Sequence, residues 1–309
     1  MNNLAEYLLD ELDRSPLPAG IEALYGRLEQ TYGEALSGVY LYGSCRRQSS
    51  TRDGLVDLLV VVHDYRSAYG SGILASLNWL LPPNVFYLEA ESEVGVVRCK
   101  YAVISRRQFR RRCRSRMDHY FWARFGQPLS RVRAAADADA AFAAARATAL
   151  ETFADRVAPL VRAPVDASAF WSHAMRLTYR CELRPEPPDN AGRLIGHDPE
   201  YWRTVTQRLA APERLASDAS GERFVGTAGA LRRTTTRASW ALRRIGGKLF
   251  NLARLLKAAG TFSNGIDYVV WKVERHSGVR IEPTERMRRY PRLAAWGLVW
   301  RMWRAGGFR

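Results

Sequence analysis

The chain has 309 residues, 47% of them apolar and 11% aromatic, which excludes a disordered polymer and leaves ample sequence for a core. Its formal net charge of +16 implies an anionic partner, either nucleic acid or a membrane surface. Four cysteines with no close pair (Cys45, Cys99, Cys113 and Cys181) argue against a cysteine-paired zinc site or a disulfide framework and fit a reducing compartment, and no run of 18 apolar residues is present for a spanning helix.

The opening stretch, MNNLAEYLLDELDR, is acidic and amphipathic, unlike a secretory signal. Helical periodicity covers 3–14 and 20–32, for example Leu4, Leu8, Leu9 and Leu12, then Ile21, Leu24 and Leu28. The segment from Gly38 to Asp64 organises the rest of the chain. Val39 to Tyr42 reads as a strand ending at a Gly43-Ser44 turn. Leu55 to Val62 is a near-continuous apolar run, as in a strand buried on both faces, interrupted by Asp57. An unpaired carboxylate there costs several kcal/mol, so Asp57 belongs at the mouth of a cleft, where a metal or ligand offsets its charge. The bland alternative is an ordinary hairpin with a Gly-Ser turn.

Residues 67–80 read as a helix ending at Pro82-Pro83, Val85–Leu88 and Val94–Arg98 as strands, and Cys99–Ser105 as a further strand. A single helix is expected over 106–126, with Arg107, Arg110, Arg111, Arg112, Arg114 and Arg116 mostly a solvated face. The Ala-rich stretch 133–162 favours helix and marks a crossover into a second, helical domain. Helices are also expected over 167–183 and 199–210, with a Pro-rich loop between them, and 214–230 is small and polar. From Leu231 onward the chain is basic, with 18 Lys and Arg against four Asp and Glu, and helical patterns over 238–258 and 264–276. The expected organisation is therefore α/β: a nucleotide-handling domain over 1–130, a helical domain over 131–230 and a basic helical region over 231–309.

A strand, a Gly-Ser turn and a second strand bearing an acid form the layout of polymerase-β-like nucleotidyltransferases. In that layout the glycine lets backbone approach phosphates, the serine and nearby N–H groups bind them, and the strand acid holds a divalent cation. That superfamily's usual pair of acids one residue apart is missing, since Leu55 and Leu59 flank Asp57 at that spacing. Together, Tyr42-Gly43-Ser44, Val56-Asp57, Asp64, Cys99–Ser105 (CKYAVIS), Tyr120–Pro128 (YFWARFGQP), Leu177–Arg184 (LTYRCELR) and the weaker Gly260–Tyr268 make the chain resemble the mitochondrial-type phosphatidate cytidylyltransferases. These are the soluble-fold CDP-diacylglycerol synthases of the translocator assembly and maintenance family. The chain departs from the family at His63, where an acid is expected, and at Cys181-Glu182 in place of Gly-Asp.

The resemblance implies transfer of a cytidylyl group from CTP to phosphatidate with Mg²⁺, by a peripheral protein of a bacterial inner membrane's cytoplasmic face or a mitochondrial inner membrane. It implies Asp57 and Asp64 as metal ligands, Asp57, Lys100 and Glu182 as catalytic residues, and Tyr42, Gly43, Ser44, Tyr179 and Arg184 at the nucleotide. Each has an ordinary alternative: a turn acid for Asp64, a surface lysine for Lys100, a helix-face acid for Glu182. The histidines at 63, 119, 173, 197 and 276 show no metal-ligand spacing. Near the C-terminus, LAAWGLVWRMWR sets Trp296, Trp300 and Trp303 on one helical face, with Arg288 and Arg289 in the basic run before it. That is the composition of an interfacial helix on an anionic membrane. Two rivals stand beside this reading: a nucleotidyltransferase acting on RNA or a small molecule, and a non-catalytic module binding anionic membrane or nucleic acid. The chain has no glycine-aromatic RNA-binding motif, so nucleic acid is not the expected partner.

Overall fold

The computed structural model describes residues 3–51, 54–70, 72–182 and 189–261. Helices α1 (Asn3–Asp10) and α2 (Ile21–Tyr32) precede strand β1 (Leu36–Tyr42), the short helix α3 (Ser44–Gln48) and strand β2 (Val56–Val62). Helices α4 (Tyr65–Ala68) and α5 (Gly72–Leu80) lead into β3 (Asn84–Ser92) and β4 (Gly95–Ser105), followed by α6 (Arg106–Cys113), α7 (His119–Phe125) and β5 (Ser130–Ala134). Then come α8 (Ala136–Val157), α9 (Ala167–Tyr179), α10 (Asn190–Gly196), α11 (Pro199–Leu209), the ribbon β6 (Leu215–Ser217) and β7 (Phe224–Gly226), and α12 (Ala230–Thr261).

The main sheet has the order β3-β4-β2-β1-β5, with β2 in the centre. β2 pairs parallel with β4 and antiparallel with β1, so the sheet is mixed. Being central, β2 is covered on both faces, which is why it reads as an unbroken apolar run rather than an alternating one. Val56, Leu58, Val60 and Val62 join a core with Ile21, Leu24 and Leu28 of α2 and Tyr65 of α4. Leu59 and Val61 face the opposite side, into a core built with α1 and α6 to α11. Asp57 lies two residues before Leu59 and therefore on this second face.

Three expectations need correction. The boundary drawn at 130 falls at β5, which pairs with β1 in the sheet. One apolar core runs from Leu4 to Trp240, so the helices of 131–230 form a layer on the sheet. The physical reason is α8: its small alanines let it lie close, with Phe142 stacked on Tyr40 at 3.8 Å and Asp139 Oδ1 accepting from Tyr40 Oη at 3.0 Å. Buried Arg146, also on α8, ties the layer together by donating to the carbonyls of Phe125, Gln127 and Leu8. The helix expected over 106–126 breaks into α6 and α7 between 114 and 118, where Asp118 is ion-paired with Arg112 and Arg254. The strands expected over 94–98 and 99–105 are one strand, β4, and the polar stretch 214–230 carries the small ribbon β6-β7.

Helix α12 docks along the molecule at successive points. Buried Trp240 donates to the Arg156 carbonyl at 2.7 Å. Gly247 approaches so closely that a Cβ there would lie 2.7 Å from both the Cys181 carbonyl and His119 Cε1. Arg254 reaches Asp118, and Lys257 Nζ donates to the carbonyls of Leu81 and Pro83.

Candidate active site

Strand register assembles the site. At one end of the sheet Asp57 of β2 pairs with Tyr42 of β1 on one side and with Lys100 of β4 on the other. Side chains alternate along a strand, so Tyr42, two residues past Tyr40, and Lys100, two before Ala102, share the face of Asp57. Lys100 Nζ lies 3.0 Å from Asp57 Oδ1, out of line for a hydrogen bond. The carboxylate is largely covered at 14% exposure, whereas Lys100 is 35% exposed and able to swing.

Gly43 follows Tyr42 with φ +83°. A Cβ at this position would meet Asp57 Oδ2 at 2.4 Å, so two constraints require glycine here: backbone conformation and the carboxylate beside it. Ser44, exposed, opens α3. In α3, buried Arg46 turns inward to Glu11, Ser130 and Asp198. Arg47 turns to the cleft, where burial lowers its pKa and Asp198, Asp57 and Tyr179 oppose that shift.

Arg124 of α7 is the hub on the other side. Burial works against its charge, but Tyr120, Tyr42, Glu182 and Asp57 more than compensate and hold its pKa above the ordinary value. Its guanidinium sits 4.5 Å from the Tyr120 ring centroid, and Arg254 covers the same ring at 4.4 Å. Burial and the nearby Asp57 push the Tyr42 phenol up, keeping it protonated, with Arg124 opposing the shift. Glu182 follows α9, its N–H donating to the Tyr179 carbonyl at 3.1 Å.

The structure thus gathers Tyr42, Gly43, Asp57 and Lys100 at one end of the sheet, with Tyr179 and Glu182 of the helical layer close enough to act on Arg47 and Arg124 beside them. It separates Asp64 from them. Asp64 stands beyond the opposite end of β2, seven residues from Asp57, or about 23 Å at about 3.3 Å per residue. There it caps α4, accepting from the N–H groups of Arg66 and Ser67 at 2.7 and 3.0 Å, which hold its carboxyl below the usual range. Asp57 and Asp64 therefore cannot share an ion. Arg184, Arg288, Arg289, Trp296, Trp300 and Trp303 lie outside the described residues. Sequence reasoning passed over Arg47 and Arg124. The signals were present: Arg47 follows the Gly-Ser turn, and Arg124 is the lone charge in the aromatic run YFWARF.

Chemically, three cations (Lys100, Arg47 and Arg124) lie near the well-covered Asp57, with Glu182 and Asp198 as further carboxylates acting on Arg124 and Arg47, an arrangement in which an incoming polyphosphate can take over the cations. Among the described residues no group of three His, Cys, Asp or Glu converges as a metal cage. Mg²⁺, however, commonly takes only one or two carboxylates and completes its shell with water and substrate phosphates. Asp57, with one oxygen lacking a well-aligned donor, fits that role.

No family model matches the chain, and the comparison with curated proteins finds no match. Among the described residues no helix is long and apolar enough to cross a membrane.

Proposed function

We propose that the chain is a nucleotidyltransferase of polymerase-β-like fold that transfers a cytidylyl group from CTP to phosphatidate. A phosphate oxygen of phosphatidate attacks the α-phosphorus of CTP, and the bond to the leaving pyrophosphate breaks. The observation that carries this reading is Asp57, set on the central strand against Gly43 and paired with Lys100, with Arg47 and Arg124 close enough to feel its charge. The three cations bind and orient the triphosphate, and Lys100 is free to leave Asp57 for a phosphate oxygen. Asp57 would hold Mg²⁺, which when bound neutralises triphosphate charge. Phosphatidate's phosphate is already an anion, so no general base is needed. Glu182, whose charge favours the protonated Arg124, supports that cation.

A lipid acceptor also needs a protein that meets a membrane surface. Along α12, Leu242, Ile245, Leu249 and Leu252 follow a 3-4-3 spacing and are 64%, 66%, 63% and 46% exposed. Residues 230–261 carry eight Lys and Arg and no acid. An apolar stripe among basic side chains supports peripheral binding to anionic lipid.

The test is a transfer assay with phosphatidate, Mg²⁺ and each of the four ribonucleoside triphosphates. CDP-diacylglycerol and pyrophosphate formed from CTP are the expected result. Absence of transfer to phosphatidate from every triphosphate overturns the reading.

A further inference from the structure

A cavity of about 320 Å³ lies between the end of α8, the first turns of α12 and the loop after α6. It opens to solvent on one side and is wide enough for a phosphate group with a small organic substituent. Arg116, Arg156 and Arg232 line it. The one carboxylate in its wall, Asp155, is engaged by Arg214 at 3.2 Å.

The three guanidiniums repel one another. Arg156 has its pKa lowered by burial first and then by Arg116 and Arg232, against the pull of Asp155. Its Nε is buried without a hydrogen-bond partner. The walls are fixed in place by Arg243, only 1% exposed, which donates to both the Arg116 carbonyl and Ser239 Oγ. Ser239 Oγ, already accepting from Arg243, keeps its own proton to donate into the cavity, and buried Thr236 lies one turn away. Clustered guanidiniums with hydroxyl donors and no free carboxylate form a receptor for a compact dianion.

We propose that this cavity is a second anion site, taking a phosphate monoester and separate from the Asp57 cleft. The separation follows from α12 itself: Ser239 lies eight residues before Gly247, about 12 Å along the helix, and it is Gly247 that touches Cys181 beside Glu182. The site does not depend on the transfer reaction. The phosphate belongs either to a free phosphorylated metabolite or to a phosphomonoester lipid headgroup, and the two sources are separable by experiment.

The full chain is titrated calorimetrically with inorganic phosphate and glycerol 3-phosphate. It is also sedimented with zwitterionic vesicles carrying a phosphomonoester lipid, or the same surface charge from a phosphodiester lipid, which measures the contribution of the α12 stripe. Binding of the soluble esters assigns a free metabolite, and an excess of phosphomonoester over phosphodiester vesicle binding that survives Lys100→Met assigns a headgroup. In either case Arg156→Gln and the exposed Arg232→Gln should each weaken binding about tenfold or more, while Lys100→Met, in the other cleft, leaves this binding unchanged. Arg232 stands on the helix surface, so its variant keeps the fold if the Arg156 change does not. Wild-type protein that binds none of these probes overturns the proposal, as does undiminished binding by the Arg156→Gln/Arg232→Gln double variant.

Discussion

Gly43 and Asp57 are matched to one another: a methyl group on Gly43 would lie 2.4 Å from Asp57 Oδ2 and 3.0 Å from its Cγ. The glycine's φ of +83° disfavours any other residue as well. Gly43→Ala should therefore push the carboxylate off its position and cost about 1–2 kcal/mol of stability from backbone strain. Cytidylyl transfer should fall by about 100-fold or more, equivalent to about 2.7 kcal/mol. Parallel urea unfolding and initial-rate measurements check both values, and a folded variant with wild-type kcat/KM disproves the coupling.

Asp57→Asn should fold normally and lose at least about 100-fold in Mg²⁺-dependent turnover. Its ion pair with Lys100 is partly exposed and contributes about 1 kcal/mol or less to stability. Lys100→Ala should mainly raise the KM for CTP. A double-mutant cycle on kcat/KM should give non-additive losses, since both groups act on the same phosphates. Additive losses, or near-normal Asp57→Asn activity, would remove Asp57 from the chemistry.

Much of this site is legible in the sequence. The apolar run of 55–62 announces a central strand, and its interrupting acid announces a functional position, because burial makes a carboxylate there costly. The pairing of Lys100 with Asp57 is not legible, since it depends on the β2-β4 register across the connection of residues 63–94. Asp64 misleads for a related reason. Proximity in sequence to Asp57 suggests proximity in space, but an extended strand carries seven residues across the whole sheet. Arg124 is hidden by its setting, an aromatic run that reads as core, where only the fold shows that one side chain lies over Tyr120 within reach of the charges of Asp57 and Glu182. The domain boundary fails because alanine content signals helix without saying what the helix packs on.

Arg124 gives the third prediction. Tyr120, Tyr42, Glu182 and Asp57 all favour its charge. Arg124→Gln should raise the KM for CTP about tenfold or more and lower Tm by a few degrees, because the buried phenols and nearby carboxylates lose the positive charge that offsets them. Arg124→Lys keeps the charge and loses the planar contact with Tyr120, so it should recover only part of the activity. Equal activity in Arg124→Lys and wild type would show that the charge alone matters.

His119 predicts a pH dependence. Burial lowers its pKa to about 4, with Arg254 and Arg243 adding to the shift and Asp118 opposing it. The unfolded chain takes up this proton near pH 6.5 and the folded chain only near pH 4, so the unfolded state binds more protons in between. The stability contribution is complete above about pH 6.5 and is lost as pH falls towards about 4, amounting to about 3 kcal/mol at most. His119→Gln should remove that component, leaving a shallower fall in Tm between pH 6.5 and 4.5. Identical pH profiles for the two proteins would show that His119 is not buried as a neutral base against Gly247 and Cys181.

The exposed stripe of α12 makes the last prediction. Ile245 and Leu249 are 66% and 63% exposed, so Ile245→Glu and Leu249→Glu touch no core contact and should leave Tm within about 1 °C, as surface changes normally do. Each also places an acid among the basic side chains Arg244 and Lys248, where each Lys or Arg contributes about 1 kcal/mol on an anionic leaflet. Sedimentation with anionic vesicles should therefore drop sharply for the double variant. Wild-type binding should fall with added salt and be weak on zwitterionic vesicles. Activity on detergent-dispersed phosphatidate should persist, because Leu249 and Ile245 lie outside the Asp57 cleft. A chain ending at Arg289 removes Trp296, Trp300 and Trp303 and separates the two candidate anchors. If truncation abolishes vesicle binding and the α12 double variant does not, the tryptophan segment is the anchor and the α12 stripe is excluded from the membrane contact.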